Sequence, residues 1–182
     1  MSDETELERF SAVVLPHLDA AYNVARWLTR NDQDAQDVVQ EALLRALRYF
    51  ASFRGDQVRP WLLQIVHHTT WSWLQKNRPT EQVPWHDEDD EPAQAQAPEE
   101  LQPPALLARK MDREQINRAL ASLPAAYREV LVLRELEDLA YKDIARIADI
   151  PVGTVMSRLA RARRLLREAL APHAPLSSTE AP

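Results

Sequence analysis

The chain has 182 residues, enough for one large or two small domains, and its two glycines and absent cysteines rule out several chemistries at once. Neither Walker-type nor dinucleotide glycine patterns can be built, and disulfides and thiolate metal sites are excluded. Two glycines against thirteen prolines leave few tight hairpins, so an all-α protein is favoured. The net charge of −6 argues at first against nucleic acid, but it is segregated: residues 81–100 hold eight acids and no Lys or Arg, and without them the chain is +2. Residues 106–173 carry thirteen basic and nine acidic side chains, and that local field is what DNA would meet.

The N-terminus, residues 1–8, is acidic and lacks a secretory apolar core. No apolar run approaches the roughly 20 residues of a membrane span, so the expected location is the cytoplasm. A first helix is predicted over 4–29, with Leu7, Phe10, Val14, Leu18, Ala21 and Ala25 on its inner face. Asn31 or Asp32 can cap the next helix, Asp34 and Asp37 complement its positive end, and it runs to about Tyr49. Residues 53–59 form a loop, and a third helix follows over 60–76, giving a first domain at 4–78. Trp61 sits among Leu62, Ile65 and Val66 and reads as core, while Trp71 is better placed for an exposed role.

Residues 79–104 contain six prolines and the acidic run, which supplies no core, and are expected to form a mobile linker. The second domain, 105–171, opens with a helix over 105–121, broken at Leu123-Pro124, followed by helices over 125–135, 141–148 and 152–170. Residues 172–182 look like a frayed, disordered tail. Helix 141–148 repeats Ile144, Ile147 and Ala148 at helical spacing. Pro151 then restarts the chain, and Val155, Leu159, Ala162 and Leu166 form one apolar stripe. Thr154, Ser157, Arg158, Arg161 and Arg164 fall largely off it. This is a helix-turn-helix whose second helix suits the major groove.

Two blocks extend this reading. Asp34-Ala35-Gln36-Asp37-Val38-Val39-Gln40-Glu41-Ala42-Leu43-Leu44-Arg45-Ala46 resembles region 2.2 of the sigma-70 family. Phe53-Arg54-Gly55, followed by Pro60-Trp61-Leu62-Leu63-Gln64-Ile65-Val66, is similar to regions 2.3 and 2.4. Leu123 to Leu131 and Ile150 to Leu159 resemble region 4. Two such modules without regions 1.1 and 3 resemble the extracytoplasmic function (ECF) sigma factors, the smallest bacterial initiation factors.

The resemblance implies an alternative sigma factor: not an enzyme, with no cofactor, whose partners are core RNA polymerase, promoter DNA and an anti-sigma factor that can hold it inactive, in some cases at the membrane. Asp37, Gln40, Glu41 and Arg45 would meet the polymerase clamp helices. Read from spacing alone, Asp37, Glu41 and Arg45 share one helix face, which equally suits a solvated surface with i,i+4 pairs. Arg54, Arg59, Gln64, His67, His68 and Lys76 would hold the −10 strand, with cations on phosphates and a flipped base captured. The family often carries Arg where this chain has Gln64, and Arg-Asn where it has His67-His68. Adjacent histidines on a helix point about 100° apart and cannot chelate one metal together.

At −35, Thr154, Met156, Ser157, Arg158 and Arg161 would read bases, with Lys142, Arg163 and Arg164 nearer phosphates. Met156 replaces a frequent basic residue. Asp149 replaces a common glycine at the turn, where Asp tolerates the left-handed conformation better than most residues. The linker would thread the polymerase cleft, its acids imitating a nucleic-acid backbone. It could equally be a passive tether. Other classes fit less: an anti-sigma-binding decoy has no receiver domain here, a polymerase-independent helix-turn-helix regulator leaves 34–46 unexplained, and a hydrolase using His17, His67, His68 or His86 has no supporting spacing.

Overall fold

A computed structural model describes residues 2–81 and 113–171, and among them every regular element is helical. The N-terminal module contains α1 (Ser2–Val14), α2 (Leu18–Thr29), α3 (Asp32–Phe50) and α4 (Val58–Asn77). The C-terminal module contains α5 (Arg113–Ser122), α6 (Ala125–Leu131), α7 (Tyr141–Ala148) and α8 (Val152–Leu170). The expectations for the linker beyond Glu81, for 105–112 and for the tail at 172–182 lie outside the described residues.

The single predicted helix over 4–29 is two helices. Pro16 lacks the amide hydrogen that would continue the α-helical ladder, and Leu15–His17 form a 3₁₀ turn between α1 and α2. Leu7, expected inside, is half exposed. Phe10, Val14, Ala21 and Ala25 are buried as expected. The α2 helix ends at Arg30 in a left-handed conformation (φ 57°). Asn31 then caps α3 by accepting the amide of Asp34 at 3.0 Å, with Asp32 and Asp34 in the first turn and Arg48 in the last. Ala35, Val38, Val39, Ala42 and Ala46 bury one face of α3 against α2 and α4.

Rings close the far end of this module. Phe10 meets Phe50 edge-on at 5.3 Å, and Phe53 lies against Trp61 at 4.7 Å, so Trp61 packs on the core and is partly buried. Thr69 and Thr70 on α4 hide their hydroxyls by donating to the carbonyls of Ile65 and Val66 at 2.8 and 2.7 Å.

In the C-terminal module, α6 continues as a wider turn over Val132–Leu136, closed by the amide of Glu137 donating to the carbonyl of Val132 at 3.0 Å. Pro151 stands immediately before α8. Asp149 terminates α7 in the left-handed region (φ 55°, ψ 48°), the conformation its short polar side chain tolerates. Ile144, Ile147, Ala148, Val155, Leu159 and Ala162 are buried together, while Leu166 is only partly so.

The two modules are not separate. Helix α4 lies along α7, and α2 lies against α6, so one apolar core runs through both.

Candidate nucleic-acid and polymerase interfaces

Three surfaces carry the expected site residues, and they differ in what surrounds them. On α3, Asp37, Gln40 and Glu41 are exposed and Arg45 is partly so. Their neighbours are local: Arg45 Nε donates to Glu41 at 2.8 Å, and Gln33 Nε2 donates to Asp37 at 3.1 Å. Leu44 and Leu47 lie on the same outward side and are also exposed. A large apolar side chain left in water beside charges is a feature the expected contact set omitted. The signal was present in the sequence, since Leu44 and Leu47 fall at i+3 and i+6 from Glu41.

The −10 set divides. Arg54 is exposed, its guanidinium donating to the carbonyl of Ala51 at 2.6 Å. His68 and Lys76 are exposed and Gln64 is half-buried. His67 and Arg59, however, face the C-terminal module. His67 is buried, with Nδ1 2.5 Å from Glu129 Oε1. Arg59 Nη2 donates to Glu137 Oε2 at 2.6 Å. Trp71, expected to be exposed, is half-buried and donates its indole N–H to Glu129 Oε2 at 3.0 Å.

Burial pulls the His67 pKa down, but the charge and hydrogen bond of Glu129 outweigh it. Asp149 adds to that pull and Arg158 opposes it, and the net shift is upward. His68 moves the other way, lowered by burial and by the neighbouring His67. The two rings meet edge-on with centroids 5.1 Å apart, His67 buried and His68 exposed.

On α8, Thr154, Ser157 and Arg161 are half-buried, and Met156, Lys142 and Arg164 are exposed. Arg158 departs from expectation. It is 7 % exposed, close enough to His67 to oppose its charge, and so lies towards α4. Helical spacing places it just beside the apolar stripe, but the packed N-terminal module widens the buried face. Arg163 is held by Glu135, with Nη2 and Nε at 2.6 and 3.1 Å from Oε1. Burial disfavours its charge, but Glu135 overcomes this and raises its pKa. The Arg161 guanidinium lies 5.7 Å from the Tyr127 ring centroid.

Sequence reasoning missed Glu129, Glu137 and Asn23 altogether. Glu129 carried a signal: it sits four residues from Ala125 and from Leu133, both buried, and so falls on the inner stripe of its helix.

A helical module joined to a helix-turn-helix with a basic second helix is the arrangement of a DNA-binding protein. Residues 13–80 match the Sigma-70 region 2 family and residues 113–166 match Sigma-70, region 4. The chain is 36% identical over 143 residues to the ECF RNA polymerase sigma-E factor of Escherichia coli K12, covering 76% of this chain and 75% of that protein. It is 33% identical to the RNA polymerase sigma-H factor of Pseudomonas aeruginosa (90% of this chain, 86% of that one). It is 30% identical to the ECF RNA polymerase sigma factor SigE of Mycolicibacterium smegmatis, where 94% of this chain spans 65% of the relative. In fold it resembles the sigma factor RpoE of Bartonella quintana, solved in complex with the anti-sigma factor NepR, at TM-score 0.67 and 27% identity over 90% of this chain and 97% of that one. The chain belongs to the ECF group of the sigma-70 family.

Proposed function

We propose that this chain is a promoter-specificity subunit that binds bacterial core RNA polymerase and directs it to promoters with defined −35 and −10 elements. The observation that carries this reading is the pairing of the two family matches, 13–80 and 113–166, with an outward charged face on α3. The chemistry of RNA synthesis belongs to the polymerase, and this chain supplies recognition.

Asp37, Gln40, Glu41 and Arg45 dock on the polymerase, and the exposed Leu44 adds apolar area at the centre of that face. Thr154, Met156, Ser157, Arg158 and Arg161 read −35, while Lys142, Arg163 and Arg164 meet phosphates. Arg54, Arg59, Gln64, His67, His68 and Lys76 handle the −10 strand. An anti-sigma factor is a partner by analogy with the Bartonella quintana complex. The site of action is the cytoplasm, and no described helix is long and apolar enough to cross a membrane.

The test is initiation in vitro with purified chain and bacterial core polymerase on a randomised promoter library. Transcripts that require this chain and share two elements are expected. DNA binding without core-dependent transcripts would move the function to a polymerase-independent regulator. Arg158→Ala should cost roughly 1–3 kcal/mol at the promoter and relax −35 preference while core binding persists.

A further inference from the structure

The exposed side of α8 changes character along the helix. Val155, Leu159 and Ala162 are buried and account for its packing. Between Pro151 and Ala160 the exposed residues are Pro151, Val152, Gly153, Met156 and Ala160, and none carries a hydrogen-bonding side chain. Val152 is 43 % exposed and Met156 39 %. The first basic side chain exposed on α8 is Arg164.

The polar side chains of the same helix are turned to the protein itself. Ser157 donates its hydroxyl to the carbonyl of Thr154 at 3.1 Å. Arg158 is 7 % exposed, Arg161 lies over the Tyr127 ring, and Arg163 is held by Glu135. In a helix-turn-helix, the N-terminal residues of the second helix are the ones that meet base edges. Here that end turns methyl and thioether groups outwards, where a hydrogen-bonding reader would turn an amide or a guanidinium.

One feature of a base pair matches such an end. In the major groove the C5-methyl of thymine is the apolar mark, and the others are donors and acceptors. Covering the methyl with Val152 or Met156 removes apolar surface from water on both sides. Covering a donor or acceptor with the same side chains would leave it unpaired. Val152 and Met156 stand four residues apart, about 6 Å along the helix at about 1.5 Å per residue. That is about two base-pair steps of about 3.4 Å. The charge around them suits a polyanion: residues 141–167 hold seven basic and two acidic side chains, and Lys142, Arg146 and Arg164 are exposed.

We propose that Val152 and Met156 form an apolar reading edge for the 5-methyl groups of thymines in the −35 element, so that A·T pairs are selected there by methyl contact. This rests on the function proposed above and names what part of the −35 helix recognises. Lys142, Arg146 and Arg164 set the register on phosphates, and the edge chooses sequence.

Replacing thymine by deoxyuridine deletes the methyl and leaves every hydrogen-bonding group in place. The probe is a promoter recovered from the library, with each −35 thymine of either strand replaced singly. The full chain with core polymerase binds it in competition with the unmodified fragment. The parent is expected to lose about fourfold at one or two positions, the ratio for one methylene-sized group leaving water. Met156→Ala should bind the thymine fragment more weakly and be indifferent to the replacement at one of those positions. Met156→Arg, selected afresh on the library, should exchange an A·T pair for a G·C pair there, because a guanidinium meets both acceptors of guanine.

A parent equally tight on every uracil fragment overturns the proposal. So does a Met156→Ala chain that keeps the parent's full sensitivity at every position, or an unchanged A·T preference in Met156→Arg. Met156 is exposed, so neither substitution removes core packing, and the parent's uracil series needs no variant at all. Were initiation to fail, the sigma reading would fall. Duplexes selected by the full chain alone would then carry the same uracil series, which keeps the two outcomes separate.

Discussion

Helices α3 and α4 are consecutive, of 19 and 20 residues, and each carries residues assigned to a macromolecular partner, yet they meet their surroundings oppositely. The α3 face is open water with short-range pairs inside one helix. The α4 face is joined to groups 58 to 78 residues away in the chain. A solvated pair such as Glu41–Arg45 contributes little to folding, so that face is free to serve a partner. A buried pair such as His67–Glu129 is all-or-none, because removing one member strands the other. The difference separates a face whose pairs lie within one helix from one that holds two modules together.

The strongest way to break this contrast is His67→Ala. Loss of one member of a buried pair costs about 3–5 kcal/mol when the other stays dry. Here Glu129 can rehydrate if the modules part, so the cost falls on docking and is limited by the docking free energy. Urea unfolding is expected to split into two transitions. One transition at the parent's midpoint would mean the pair does not hold the modules.

On the open side, Glu41→Lys should weaken core polymerase binding by about 2 kcal/mol or more, read by fluorescence anisotropy. Its effect on unfolding should stay below about 1 kcal/mol, since the Glu41–Arg45 pair is largely exposed. A stability loss comparable to the binding loss would make α3 structural.

Acidity sharpens the contrast further. His67 has a raised pKa with the modules in contact, so its contribution to docking is complete below its free value of about 6.5. That contribution fades as pH rises through the raised docked value. The distance between spin labels on Ala12→Cys in α1 and Ala169→Cys in α8, both exposed, should therefore broaden from neutral to alkaline pH. Glu129→Gln should flatten the response.

The smallest expected effect is a control away from both faces. A Cβ at Gly153 would meet nothing within 4 Å, so Gly153→Ala should stabilise the C-terminal module by about 0.5–1 kcal/mol. The melting temperature should rise by a few degrees, with core binding unchanged.

Much of this was legible in the sequence because the signals were local. Residues 141–148 and 152–170 show helical periodicity, a residue that tolerates the left-handed turn and a proline, and the observed bounds coincide. The Asn31 cap and the buried face of α3 followed from the same kind of signal. The break at Pro16 was missed because the apolar stripe from Phe10 to Ala25 continues in phase across it, and periodicity outweighed the missing amide hydrogen. The burial of Arg158 and the partners of Arg59, His67 and Trp71 depend on docking between modules. No window of sequence contains both sides of such a contact, and only the misplaced acid at Glu129 hinted at it.

The four side chains that fill Glu129 and Glu137 also bear on how freely the modules can be exchanged. Asn23, Arg59, His67 and Trp71 belong to one module and their acceptors to the other, so each half fills polar groups that the other buries. A hybrid that joins this N-terminal half to a relative's helix-turn-helix would inherit promoter preferences from each parent. Unless both acids came along, it would leave these donors of the N-terminal half facing a surface without their acceptors.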